Sequence, residues 1–472
     1  MSAVDALGAR PGAGVTAGVV ETIQPTHLSA ATGSAEPFDP IAVYWAAVEA
    51  GLEAVLWLRA SEDLAMVGIG HAWSVEAEGE SRFASANAAW QAVADSLGPD
   101  DPSLPRGVGP VALGALGFTG RRPPAGDVWE PFGAASLVLP EVILARTGGG
   151  SWITTMTPRA READARRAHE RLLARARELT PGPGGLVARP VVQRMSIVDQ
   201  QPDETSWRRT VGLFAGAVGR GRLDKVVLAR RVVLASPADL DVENALRRLA
   251  AAAPESTVFA FRRAGRTFLG ATPERLIRTD GREFRTVAIA GSTGRGADPA
   301  GDAQLAAALL ASEKEREEHD VVVAALRDRL GPISGRLEIA AEPRVLTLRH
   351  VQHLITEIEG TVHERKGLLA LAERLHPTPA VGGEPRDLAL ALIDEYEGFE
   401  RGWYAGPIGW LGPDGDGELM VALRSGVVDR TQATLFAGCG IVADSDPDRE
   451  WEESRMKLKA VASALGRPGD EP

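Results

Sequence analysis

The sequence predicts an α+β fold. Runs that read as strands are joined by short connections, and long helical stretches interrupt them without regular β-α-β alternation. No stretch repeats at a solenoid period. With 472 residues the chain can bury a large core, in one big domain or two.

Taken in order, residues 1–36 are rich in Ala, Gly, Ser and Thr without periodicity, which predicts a mobile tail. Over 37–195 strand runs such as EAVLWL and PEVILAR mix with helical ones, the clearest helix lying over 158–180. The block PGPGG at 181–185 ends that helix and reads as a loop or linker. No catalytic cluster precedes it, so 37–195 is expected to be the scaffold half and 196–467 the catalytic half. The catalytic half is denser. DKVVLARRVVL, TVFAFR, TFLGATPE and RTVAIAGS are β-rich runs with short connections, and residues 305–330 read as one long helix. QHLITEIEGTV, WYAGPIGWL, ELMVALRSGVV and TLFAGCGIVA read as further strands.

The net charge of −12 argues against nucleic acid or an anionic membrane as partner. No run of 18 apolar residues occurs, and the N-terminus lacks the basic and apolar blocks of a signal peptide. The single cysteine, Cys439, excludes an internal disulfide and fits a reducing cytoplasm; between two glycines it reads as a small filler. Five of the 52 basic residues are Lys, at 225, 314, 366, 457 and 459. A buried Lys can lose its proton and act as a base where Arg cannot, which singles out Lys225 and Lys457.

The stretch from Gly438 to Lys457 combines a glycine pair with a helix start. Asp446 reads as N-cap and Pro447 as the first helical residue, since Asp accepts from free N–H groups and Pro lacks one. Glu450, Glu453 and Lys457 then line one helical side, beside an apolar stripe of Trp451, Leu458, Val461 and Leu465. Gly438 and Gly440 let backbone amides approach an anion at the helix mouth. A second helix carries Glu315, Glu318 and His319 on the face of Val322 and Leu326. Together the four carboxylates suit Mg²⁺; two amphipathic helices with solvated charges are the plainer alternative. Lys225 in an apolar strand and Glu274 at a strand edge would make a base and acid pair if they faced one ligand, or a structural ion pair otherwise. Gly291, Ser292 and Gly294 in AGSTGRG suggest an anion-binding loop. Arg424 and Tyr404 are polar groups in strands, Arg being the preferred bidentate partner of a carboxylate. His353 could donate to a substrate oxygen or be a satisfied core histidine.

The blocks DKVVLAR, ATPERL, AGSTGR, SEKEREEHD, QHLITEIEG, LHPTPAVGG, WYAGPIGW, VALRS and AGCGIVADSDPDREWEESRMK occur in this order and resemble the chorismate-utilising enzymes, within them the isochorismate synthases. The resemblance is strong over 200–466 and general in plan before that. It implies a layered α/β/β/α fold with large mixed or antiparallel sheets and one Mg²⁺ at a single chorismate site.

Within that family the position of Lys225 sorts the chemistry. Lys there activates water, whereas anthranilate synthases typically carry Gln and take ammonia from a glutaminase partner. Aminodeoxychorismate synthases place a nucleophilic Lys where this chain has Ala290. The resemblance thus implies that Lys225 deprotonates water attacking C2 of the ring, and that Glu274 protonates the departing C4 hydroxyl. It implies Glu318 and Glu453 as direct Mg²⁺ ligands, with Glu315 and Glu450 acting through water. Tyr404 and Arg424 match positions holding the pyruvyl carboxylate; Gly438, Gly440, Ser292 and Lys457 match the surroundings of the ring carboxylate. Salicylate synthases usually have Thr where this chain has Ala380, which points to release of isochorismate. The alternatives are a salicylate synthase, an anthranilate synthase component I, or a non-catalytic chorismate-binding regulator. The expectation is a monomer without a glutaminase subunit, whose product feeds menaquinone or a catecholate siderophore.

Overall fold

Strand-forming runs rich in Val, Ile, Leu and aromatic residues assemble into two sheets, of 11 and 13 strands. Neighbouring strands are antiparallel, except that Arg194–Gln201 runs parallel to Arg467–Pro468. This computed structural model describes residues 19–23, 28–97, 101, 103–158, 162–180, 194–349 and 351–468. The linker expected at 181–185 and the first 18 residues lie outside the described residues.

Many strands are buried along their whole length, because each sheet is covered on both faces. Between the sheets lies a core of Trp57, Phe259, Phe261 and Phe268 from the larger sheet and Leu113, Ile408, Trp410 and Met420 from the smaller. Each such side chain contributes about 1.5–3 kcal/mol by leaving water. On the outer face of the larger sheet, Val232, Leu234 and Val258 meet Leu246 and Leu249 of helix Val242–Ala252 and Leu458, Val461 and Leu465 of helix Pro447–Leu465. Helices Arg82–Leu97, Pro299–Ala311, Glu313–Leu330 and Leu368–Leu375 pack on the smaller sheet. The order of layers is α/β/β/α, as expected. Both sheets take strands from either side of residue 195: Leu58 pairs with Val258, and Ala115 with Ile408.

Four local expectations need correction. Two strands, Val19–Ile23 and Leu28–Ser34, lie inside the expected tail; they pair with Trp73–Ala77 and Gly150–Pro158 at sheet edges, and in Leu28–Ser34 partly exposed small residues leave little periodicity. The long helix over 305–330 is two helices broken at Ser312, whose extended backbone and hydroxyl cap the second one by accepting from the Glu315 N–H at 3.4 Å. Gly291 and Ser292 are not in a loop but in strand Glu283–Thr293, where Gly291, at φ +76°, permits a bulge between Ala290 and Ser292. Tyr404 and Arg424 lie just outside strands, Tyr404 in the turn before Pro407–Leu411.

The position of Arg424 has a topological cause. The chain passes from the larger sheet to the smaller between strands Arg266–Thr272 and Arg275–Asp280. It returns between Gly417–Val421 and Ser425–Asp429. The two crossings run side by side: Val421 N–H donates to the Glu274 carbonyl at 2.9 Å, and Ala271 N–H to the Arg424 carbonyl at 3.1 Å. Glu274 is thus carried by one crossing and Arg424 by the other, between the sheets.

Candidate active site

A cavity opens at these crossings, its empty space about 640 Å³ with the open mouth counted in. Lys225, Val227, Gly438 and Gly440 form the wall from the larger sheet; Ala290, Gly291, Ser292 and His353 form the opposite wall. Glu274, Tyr404 and Arg424 close one end, Ala380 and Val381 project from the loop before Gly383–Glu384, and Glu318 enters from helix Glu313–Leu330. Twelve of the fifteen residues expected at the site therefore face one space, while Glu315, Glu450 and Glu453 stand behind it.

Lys225 is 1% exposed, and its Nζ lies 2.8 Å from Glu318 Oε1. Only a residue without a side chain fits opposite them. A Cβ on Gly440 would fall 2.2 Å from Glu318 Oε1 and 2.6 Å from Lys225 Cε. Glu274 is 4% exposed, and burial pushes its carboxyl up to about 7 even though Lys225, Arg424 and Lys457 act in the other direction. A carboxyl of that kind carries a proton near neutral pH and can give it away.

At the other end, Arg424 Nη2 donates to His353 Nε2 at 3.0 Å. The imidazole proton then belongs on Nδ1, which donates to Ser292 Oγ at 2.9 Å. Burial, with Arg424 and Lys457 adding to it, pushes His353 down to about 3, so the ring is neutral. Both its nitrogens are engaged by protein groups, Nε2 by Arg424 and Nδ1 by Ser292. Arg424 holds a left-handed backbone at φ +49°, an uncommon conformation for a residue with a side chain. The Tyr404 ring stacks on Phe436 at 5.3 Å, and burial pushes its phenol up to about 12, leaving a neutral hydroxyl.

The carboxylates gather where helix Pro447–Leu465 meets helix Glu313–Leu330. Lys457 Nζ lies 2.6 Å from Glu453 Oε1 and donates to the Gly438 carbonyl at 2.9 Å. Burial works against the charge on Glu453, but Lys457 outweighs it and holds the carboxyl down to about 2. Glu450 moves the other way, up to about 7, through burial and the neighbouring Glu453 charge. Glu315 is raised by burial and by Glu318, and its Oε2 accepts from the Ser292 N–H at 2.8 Å. Glu315 and Glu450 are raised although Lys314 stands beside both, so a further cation there would ease the crowding of carboxylates. Ligand atoms of Cys439, Glu450 and Glu453 lie within 4.8 Å of one another. The Cys439 thiol donates to the Glu450 carbonyl at 3.3 Å, and burial pushes it well above the ordinary thiol range. Beside the thiol, the grouped ligand atoms are carboxylate oxygens of Glu450 and Glu453, donors that fit a hard divalent ion such as Mg²⁺.

Two participants escaped the sequence reading. Lys314 Nζ sits 3.2 Å from Glu450 Oε1 and 3.5 Å from Glu315 Oε1. Its signal was present, since it is one of the five lysines in an arginine-rich chain. Arg401 lines the cavity beside Tyr404, but nothing local distinguishes it from any other Arg before a Gly.

The profile of the family described as "Chorismate binding enzyme" matches residues 16–466. The chain is 36% identical, over 461 residues, to the salicylate biosynthesis isochorismate synthase of Pseudomonas aeruginosa, covering 96% of this chain and 93% of that one. It is 33% identical over 416 residues to the isochorismate synthase MenF of Bacillus subtilis, covering 87% of each. Among solved structures it resembles MenF, the menaquinone-specific isochorismate synthase from Escherichia coli, with a TM-score of 0.74, 26% identity, and 93% and 95% of the two chains covered.

Proposed function

The chain belongs to the chorismate binding enzymes, and on that footing we propose that it is an isochorismate synthase, converting chorismate to isochorismate. The observation that carries this reading is the pairing of Lys225 and Glu274: both are buried, both line one cavity, and Glu274 is a carboxyl pushed up to about 7.

In this mechanism Lys225 takes a proton from a water molecule as its oxygen bonds to ring carbon C2. The two ring double bonds each move one position, and the C4–O bond breaks. Glu274 delivers a proton to the departing oxygen, so one water enters and one leaves. The base is held by a strand and the acid by a crossing between the sheets, which fixes their separation. Arg424, steadied by His353, and the Tyr404 hydroxyl hold the pyruvyl carboxylate. Lys457 and Ser292, beside Gly438 and Gly440, receive the ring carboxylate. Gly291 lets the Ser292 segment bulge towards it. Glu318 and Glu453 would hold Mg²⁺ directly, with Glu315 and Glu450 behind; bound there, the ion supplies Lewis-acid charge to a substrate carboxylate. Ala380 leaves the wall apolar, which favours release of isochorismate over elimination of pyruvate.

Incubation with chorismate and Mg²⁺ in the absence of ammonia, with the product separated by chromatography and identified by mass, tests the proposal. Isochorismate is expected. Salicylate with pyruvate, or turnover that requires ammonia, would overturn it.

A further inference from the structure

At the cavity wall, where Arg401 lines the space, lies a buried ion pair that the chemistry above does not use. Arg401 and Glu397 are 3% and 2% exposed. Arg401 Nε donates to Glu397 Oε2 at 2.8 Å, and Arg401 Nη2 donates to Glu397 Oε1. The same guanidinium reaches two segments of the site: Nη1 donates to the Val381 carbonyl at 2.7 Å and Nη2 to the Val227 carbonyl at 2.9 Å. Glu397 Oε1 also accepts from the Ala229 N–H at 2.6 Å. Val227 N–H in turn donates to the Gly382 carbonyl at 2.8 Å, and Lys225 pairs with Glu384. The Phe118 ring, 4.2 Å from the guanidinium carbon, covers the group.

A buried ion pair is weak grounds for stability, because removing two charges from water offsets most of their attraction. This one is placed where it does something else. A planar guanidinium bonded at once to the Val227 and Val381 carbonyls holds the two peptide groups at a set separation. Val227 is two residues from Lys225, and Val381 follows Ala380. We propose that the Arg401–Glu397 pair is a positioning clamp that holds the Ala380–Val381 wall in register with the Lys225 strand, and thereby sets turnover and the product released. The inference rests on the reaction proposed above. Arg401 is a positioning residue, acting through the backbone of the wall and of the base's strand.

Arg401→Lys keeps the charge but lacks the planar fork, while the double variant Arg401→Met with Glu397→Gln leaves no unpaired buried charge. Each is assayed beside the unaltered protein for kcat, KM, the ratio of isochorismate to salicylate, and the melting curve; chorismate affinity is measured by calorimetry. Cooperative melting is expected with kcat/KM lower by about 10- to 100-fold, a shifted product ratio and weaker chorismate binding. A cooperatively folded variant with unchanged kcat, KM and product ratio would overturn the clamp. So would an activity loss that disappears below the variant's melting range, or failure of both variants to fold, since either marks a merely structural pair. If the unaltered protein forms no isochorismate, the reaction assignment falls, and chorismate affinity decides the clamp: about tenfold weaker binding supports it and equal binding refutes it.

Discussion

Replacing Glu274 by Gln removes the proposed acid and one buried titratable group together, and the two effects are separable. The carboxyl is pushed from its ordinary 4.5 to about 7 by burial, against the opposing pull of Lys225, Arg424 and Lys457. The folded state therefore holds the proton more tightly than the unfolded state does. The resulting stability is fully present below about pH 4.5 and is lost as pH rises through about 7. That difference of about 2.5 pH units corresponds to about 3 kcal/mol, which the native protein lacks at pH 8 relative to pH 4.5. Gln carries no such cost. Denaturant melts of both proteins between pH 5 and 8 should show the variant gaining on the native protein by an amount of that order. Turnover should fall by at least about 100-fold in the variant. In the native protein, kcat should decline above about pH 7, where Glu274 loses the proton it must deliver. Parallel stability profiles would refute the raised carboxyl, and a Gln variant with native turnover would refute the acid.

Lys225→Ala should abolish isochorismate formation while chorismate binding, followed by calorimetry, largely survives; near-native turnover would remove the proposed base. Gly440→Ala should cost at least about 100-fold in kcat, because the added methyl displaces Glu318 Oε1 and Lys225 Cε, with circular dichroism unchanged; an active variant would show that neither group needs its present place. Chelation should stop turnover, and Mg²⁺ at about 100 times its Kd should restore it while adding about 2.7 kcal/mol to unfolding stability. Glu453→Gln should lose most of that added stability, and a melting curve that ignores Mg²⁺ in the native protein would sink the metal site.

Much of this site was legible in the chain, wherever one element's own geometry does the arranging. Glu450, Glu453 and Lys457 share a face because a helix turns every 3.6 residues, and Asp446 starts that helix by accepting from the N–H groups of Asp448 and Arg449. Glu315 and Glu318 follow the same arithmetic, which survives the break at Ser312 because both lie beyond it. Lys225 is buried because it opens an apolar strand. The ordered blocks from DKVVLAR onward carried the family and its layered fold. What no local pattern held was the meeting of residues far apart in the chain. Glu274 and Arg424 are neighbours because two sheet crossings run side by side; Lys314 reaches Glu450 across two helices; Arg401 ties together a strand and a loop that the sequence keeps far apart. Backbone periodicity sets which way a side chain points within its element, and it acts over a few residues. Which elements then face one another depends on how the two sheets bury their apolar faces, a property of the whole chain that only the packed structure decides.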